Sequence, residues 1–406
     1  MTELTVSVVI VSYDRPNDLA LCLKALTYQY RRNFEIVVVH NSTSKAGVDA
    51  SGLASEIKTI EYDTPNISAA RNLGMAAASG EIIAFIDDDA IAEPTWLLRL
   101  IEPFSSPTVS ASSGFVIGRN GFDIQWGGEI VDDYGRATDL SATEMKVINP
   151  KPNTYPKTHG TNCAFRCSML EQFGGFDENY HFYLDETDLN VRMGKAGLSV
   201  AVAPKAEVHH AFSASRLRSK TRVPKTLFEI GASTAYFLKK HELSFDYLDE
   251  VRIEQRNRLE HLLVAGHLEP RDISILMSTL EKGFEEGDRR KPERAETTQK
   301  TLAEFKAFRP YSPLNYAKFL SCRRLFSHKA RHDAAKLATA GEVVTLLEFS
   351  WTILRHRRFF HPDGYWVQAG GMFGKSDRGG QPFQIHTLRS RAAKEKAALI
   401  NKRSFA

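Results

Sequence analysis

The stretch Glu81-Ile82-Ile83-Ala84-Phe85-Ile86-Asp87-Asp88-Asp89 runs an apolar strand straight into three consecutive acids. A continuous apolar run of this length suits a strand buried on both faces, as in a parallel sheet covered by helices. Upstream, Leu4–Val11 (LTVSVVIV), Phe34–Val39 (FEIVVV) and Ile57–Tyr62 (IKTIEY) read as further strands. Pro16–Tyr28 and Ser68–Ser79 read as the helices between them, the first opened by Pro16 and the second closed by Gly80. This alternation predicts an α/β fold with a mostly parallel central sheet flanked by helices. The strands end in polar residues: Ser12 to Asp14, His40 and Asn41, Asp63, and Asp87 to Asp89. Ligands of open α/β sheets bind outside those carboxyl ends, so four strand ends are expected to line one crevice.

Downstream of Pro107 a second block is expected, with strands at Val109–Ile117, His159–Arg166, Leu198–Ala203 and Ala206–His210. It also holds a turn at Gly174-Gly175 and an amphipathic helix over Asp185–Lys195. Residues 1–215 then form one catalytic domain, with a donor half at 1–107 and an acceptor half at 108–215. Helical patterns at Lys225–Lys240, Tyr247–Ala265 and Arg271–Glu285 predict a helical extension over 216–290. The charged run EEGDRRKPERAE reads as a linker. Residues 291–406 are expected to be helical and basic, with one long helix over Arg331–Phe360 and a loose tail beyond Pro362.

Bulk composition excludes several classes. The chain has 406 residues, 42% hydrophobic and 25% charged, and a formal net charge of +4, too balanced to imply a nucleic-acid binder by itself. No segment reaches the roughly 18 apolar residues of a membrane span, and the N-terminus lacks the basic region and cleavage site of a signal peptide. The cysteines, Cys22, Cys163, Cys167 and Cys322, form neither a dense disulfide framework nor paired zinc spacing. A cytoplasmic protein is expected.

The chemistry centres on Asp87 and Asp89. Hard oxygen ligands at alternate positions suit Mg²⁺ or Mn²⁺, ions that bridge diphosphate oxygens. An acidic loop or helix cap before Pro94 is the plainer alternative. The surrounding motifs decide. Val8-Val9-Ile10-Val11-Ser12-Tyr13-Asp14-Arg15, Asn66-Ile67-Ser68-Ala69-Ala70-Arg71-Asn72-Leu73-Gly74 and Phe85-Ile86-Asp87-Asp88-Asp89 come in that order. Gly160-Thr161-Asn162-Cys163-Ala164-Phe165-Arg166, Gly174-Gly175-Phe176-Asp177-Glu178, Tyr183-Leu184-Asp185-Glu186-Thr187-Asp188-Leu189 and Pro204–His210 follow. Over about 215 residues this series resembles the family 2 glycosyltransferases, inverting enzymes of the GT-A fold.

The resemblance implies a nucleotide-diphospho-sugar transferase fold, a nucleotide-sugar donor and a divalent metal. It implies that Ser12 and Asp14 contact the nucleoside, that Arg71 lies beside the base or diphosphate, and that Asp87, Asp88 and Asp89 serve the ribose and metal, with His210 completing the metal shell. His40 and Asn41 stand where the family usually has an acid and asparagine, so uridine, guanosine and thymidine diphosphate donors all stay open. Glu186 is implied as the base that takes the acceptor hydroxyl's proton, with Asp185 and Asp188 positioning the acceptor or capping the helix. Asn162 and Arg166 are expected to shape the acceptor site.

The acceptor is expected to be a glycan or lipid-linked glycan, as in polysaccharide or glycolipid synthesis. Two stretches, Cys322–Phe326 and Leu354–Phe360, mix cations with bulky apolar groups and suggest peripheral contact with the inner membrane face. Two other functions compete. A sugar-1-phosphate nucleotidyltransferase usually needs a glycine-rich basic loop after its first strand, and Ser12–Pro16 has no glycine. A non-catalytic nucleotide-sugar-binding module predicts loss of acids at one centre, and both centres are populated.

Overall fold

The protein is described from a computed structural model over residues 3–292, 303–310, 317–377 and 379–403. The large sheet contains β1 (Val6–Ser12), β2 (Phe34–His40), β3 (Lys58–Glu61), β4 (Ile82–Ile86), β5 (Ala90–Ala92), β6 (Val109–Ile117) and β7 (Ile124–Trp126). A small antiparallel sheet, β8 (Glu129–Asp132), β9 (Ala137–Asp139) and β11 (Thr154–Lys157), stands beside it. The large sheet is completed by β10 (Lys146–Ile148), β12 (Asn162–Arg166) and β13 (Ser199–His210), in the order β10-β13-β6-β12-β4-β1-β2-β3. Pairing gives β3, β2, β1, β4, β6 and β13 one direction, with β12 inserted antiparallel between β4 and β6.

Alternation of side chains through this sheet builds two cores. Val6, Val8, Ile10, Ile36 and Val38 face one layer, and Val9, Val37, Ile83 and Phe85 face the other. Every residue of β2 and β4 is therefore buried, whereas edge strand β3 alternates between half-buried and exposed. The two strands expected at 198–210 are one. A register shift between Ala203 and Glu207 places Pro204 in a bulge, where its missing N–H costs no ladder bond.

The layers are α1 (Pro16–Leu26), α2 (Lys45–Ser51), α3 (Ile67–Ala77), α4 (Trp96–Ile101), α5 (Cys167–Gln172) and α6 (Asp185–Lys195). The expected helical extension is present as α7 (Phe228–Lys240), α8 (Tyr247–Val264) and α9 (Pro270–Arg289). The backbones of α7 and α9 touch: a Cβ on Gly283 would stand 2.2 Å from the Phe228 carbonyl oxygen. The unit is fastened to α6 through Lys240, whose Nζ lies 2.8 Å from Asp188 Oδ1.

The C-terminal region corrects the sequence reading. The helix expected over 331–360 is instead α10 (Ser327–Thr339) followed by two strands, β15 (Val344–Ser350) and β16 (Arg357–His361). With β14 (Lys318–Arg323) and β17 (Tyr365–Gly371) they form a four-stranded sheet, β14-β15-β17-β16. Composition concealed the period. In β16, Arg358 and Phe360 are buried while Arg357 and Phe359 are exposed, so cations and aromatics share both faces. The tail is likewise not loose where it is described. β17 is central in this sheet, and α11 (Leu388–Arg403) buries Arg391 and Arg403 completely. Of the expected linker, α9 takes Glu285–Arg289, and residues 293–296 lie outside the described residues.

Candidate active site

A cavity of about 430 Å³ opens at the carboxyl ends of β1, β2 and β4. Its walls carry both acid clusters, Asp87–Asp89 and Asp185–Glu186, together with Arg15, Arg71 and His210.

The first cluster is held by strand pairing. Ala90 of β5 pairs with His210 of β13, which sets the His210 ring beside Asp89, with Nε2 3.1 Å from Oδ1. The Ser213 N–H donates to Asp89 Oδ2 at 2.8 Å, and Arg15 Nη1 lies 3.3 Å away. Beyond the His210 nitrogen, Asp89 Oδ1 has no polar partner among the described residues. Burial alone would raise the Asp89 carboxyl, but His210, Arg15 and the Ser213 N–H outweigh it and hold Asp89 below the usual carboxylate range. Asp88 goes the other way. Buried beside Asp89 and despite Arg15, it is pushed up to about 8, and it accepts from Ser12 Oγ at 2.8 Å and Arg15 Nη1 at 2.8 Å.

Asp87, Asp89 and His210 each offer one ligand atom within 4.8 Å of the others. A buried, ionised carboxylate oxygen with a lone imidazole beside it keeps lone-pair capacity that a cation can take up. Two carboxylates and an imidazole could together hold a metal ion, so the acid cluster offers a candidate cation site. His209 belongs elsewhere. Successive strand residues point to opposite faces, and His209 Nε2 donates to the Glu93 carboxylate at 3.0 Å on the other side of β13.

The second cluster begins α6. Tyr183 and Leu184 both hold positive φ, 73° and 64°, a costly conformation for bulky residues that turns the chain so that Asp185 and Glu186 reach the cavity. Arg71 donates through Nη1 to Asp185 and lies 3.7 Å from Asp87 through Nη2. Phe176 and Phe85 pack on its guanidinium, at 5.2 and 5.9 Å. The adjacent carboxyls titrate as a pair. Burial and the Glu186 charge push Asp185 well up against the pull of Arg71. Glu186, in spite of burial, is held down by Asp185, Arg71 and Lys157.

Other expected residues lie outside the cavity wall. Asp14 and Asn41 bind each other: Asn41 Nδ2 donates to Asp14 Oδ1 at 2.7 Å, and the Asp14 N–H donates back to Asn41 Oδ1. His40 is buried at the end of β2, with Nδ1 3.1 Å from the Asn41 carbonyl. Asp188 faces away from the cavity into Arg192, Lys240 and His241, which makes it a scaffold residue. Asn162 is fully buried and ties Trp96 to the Phe115 and Ala206 carbonyls. Arg166 pairs with Ile82 at the opposite end of β4 and donates to the Val109, Phe104 and Ser106 carbonyls. Neither side chain can shape an acceptor directly.

Several wall residues went unassigned. Thr161 donates to Asp87. Trp126 stacks on His159 at 5.6 Å and lies 5.5 Å from His210, and burial keeps His159 neutral, lowered to about 4. Gly160 and Thr161 stood in a motif already singled out, whereas nothing local marks Trp126. A second cavity of about 350 Å³ shares Lys157, Tyr183 and Glu186 with the first and is closed by Tyr247, Glu254 and Gln255 of α8.

Residues 7–174 match the family model described as Glycosyl transferase family 2. The chain is 27% identical over 185 residues to a pre-mycofactocin glycosyltransferase of Mycobacterium tuberculosis, which covers 44% of this chain and 38% of that protein. It is 27% identical over 273 residues to glycosyltransferase AglE of Haloferax volcanii, covering 65% of this chain and 81% of the relative. The chain thus spans under two fifths of the mycobacterial protein's length. A solved structure of GalNAc-T7 with UDP, GalNAc and Mn²⁺ superposes at a TM-score of 0.42 and 16% identity, over 61% of this chain and 56% of that one.

Proposed function

We propose that this chain, which carries a glycosyl transferase family 2 domain over residues 7–174, transfers a sugar with inversion from a nucleotide-diphosphate donor to a glycan or lipid-linked acceptor. One observation carries the reading: two acid clusters, one of them able to hold a cation, face a single cavity and are bridged by Arg71. Inversion by single displacement needs the nucleophile on one face of the anomeric carbon and the leaving group on the other.

Asp87, Asp89 and His210 would hold the metal. When bound, a divalent ion neutralises charge on the diphosphate leaving group. Arg216 and Arg218 line the same cavity and offer cations to the phosphates. Glu186 stays ionised beside Lys157 and Arg71, so it can accept the acceptor hydroxyl's proton. The acceptor would approach Glu186 through the second cavity, whose Tyr134, Tyr247 and Gln255 suit a polyhydroxylated ring. Four free, buried cysteines fit a reducing compartment such as the cytoplasm, and none of the described helices is long and apolar enough to cross a membrane.

Calorimetry with UDP, GDP, dTDP and CDP, each with and without Mn²⁺, tests the reading on wild type and Asp89→Asn. The expected result is metal-dependent binding of one nucleotide that the variant loses. Binding of none of them, or equal binding by the variant, would overturn it.

A further inference from the structure

The turn after β14 (residues 324–326) and the loop between β15 and β16 (residues 351–356), far apart in sequence, lie at one end of the C-terminal sheet. β14 and β15 are parallel, with Arg323 beside Phe349, and β15 and β17 are parallel, with Ser350 beside Gly371. The turn after β14 and the loop after β15 therefore leave the sheet at the same end. The Arg323 guanidinium lies 5.0 Å over the Trp351 ring, joining the two.

The apolar side chains at this edge are turned outward. Leu325 is 88% exposed, Phe326 66%, Trp351 58%, Ile353 65% and Leu354 56%. Single exposed apolar residues are ordinary, but five on two adjoining loops form a patch that water disfavours.

Charge identifies what would cover it. Residues 321–332 and 349–360 contain no aspartate or glutamate. Arg331 is taken by Glu348 and Arg358 is buried on Gln368. Arg324, Lys329, Arg355 and Arg357 are exposed, with no acidic partner among the described residues. The first turn of α10, which starts here, has no acid either, so the positive end of its dipole adds to the same field. A two-fold contact with a second copy would set these cations against their own kind.

We propose that this edge is a docking surface for an anionic lipid bilayer. Leu325, Phe326, Trp351, Ile353 and Leu354 enter the boundary between headgroups and acyl chains, and the surrounding cations meet lipid phosphates. None of these residues lines either cavity, so the surface stands or falls independently of the transfer reaction.

The test is sedimentation of the full chain with phosphatidylcholine vesicles, with and without about 30% phosphatidylglycerol, in about 0.1 M salt. Wild type is expected to bind the anionic vesicles and not the neutral ones. Leu325→Ser with Ile353→Ser, and separately Arg324→Glu with Arg355→Glu, should each lower partitioning at least roughly 20-fold. All of these positions are exposed, so thermal stability and nucleotide binding should not change. Absence of binding to anionic vesicles, or equal binding by both double variants, would overturn the proposal. A dimer that both double variants dissociate would assign the surface to a second copy and overturn it as well.

Discussion

Arg71 donates through one Nη to Asp185 while its other Nη lies 3.7 Å from Asp87, so a single buried guanidinium links the two acid centres. Arg71→Met would remove the buried cation that bridges Asp185 to Asp87 and helps hold Glu186 ionised, a loss of about 3–5 kcal/mol. Arg71→Lys keeps the charge but not a fork that reaches both acids, so it should recover part of the melting temperature and little of the transfer rate. Gly160→Ala should resemble an Arg71 lesion, because its Cβ would stand 2.3 Å from Arg71 Nη2 and Phe85 and Phe176 leave the guanidinium no room to withdraw. Melting curves and transfer rates of the three variants check this.

Glu186→Gln should lower transfer about 10²–10⁴-fold, the usual contribution of a positioned base. Nucleotide binding should survive, because Glu186 belongs to neither the metal-binding group nor the first acid cluster. Transfer at the wild-type rate would remove Glu186 from the reaction.

Asp188 predicts an acid-labile fold. Burial alone would raise its carboxyl, but Arg192, Lys240 and His241 hold it far below the ordinary carboxylate value. A depressed folded-state pKa contributes stability that is fully present above the unfolded value of about 4 and is lost as pH falls below it. Asp188→Asn should therefore cost about 3–5 kcal/mol at pH 7 and flatten the decline of stability below about pH 4. Denaturant midpoints across that range, compared between the two proteins, give the answer.

The end of α11 clamps the back of β13, the strand that carries His210. Arg403 donates from Nε and Nη2 to both Glu93 oxygens at 2.8 Å, and Glu93 in turn holds His209, the neighbour of His210. Arg403→Met should destabilise the protein by about 3–5 kcal/mol by stranding Glu93. Nucleotide affinity should fall in the same variant and recover in Glu93→Gln with Arg403→Met, where position 93 no longer carries a charge to strand. Melting and calorimetry of the single and double variants test the clamp.

The sheet and the acid clusters were legible because their signals are local. Short continuous apolar runs such as Ile82–Ile86, bounded by polar residues and set between helical patterns, suit strands buried on both faces, and the polar residues at their carboxyl ends mark a crevice. α6 was expected over Asp185–Lys195 and spans those residues, since its apolar positions and leading acids repeat at helical spacing. The C-terminal sheet was not legible. In β16 an arginine and a phenylalanine are buried while their neighbours of the same types are exposed, and only the partners Gln368 and Trp366 decide which.

Within the site, sequence determined which residue types were available, and pairing across the fold determined which of them face the cavity. Asp188 stands two residues from Glu186, yet their positions on the helix send one into Lys240 and the other into the cavity. Asn162 and Arg166 lie in the same motif as Thr161, but strand alternation and length carry them into the core and to the far end of β4. Trp126, Lys157 and the helical wall of the second cavity arrive from distant segments. Burial of a polar side chain depends on whether a partner meets it, and partners brought from a hundred residues away are a property of the tertiary structure alone.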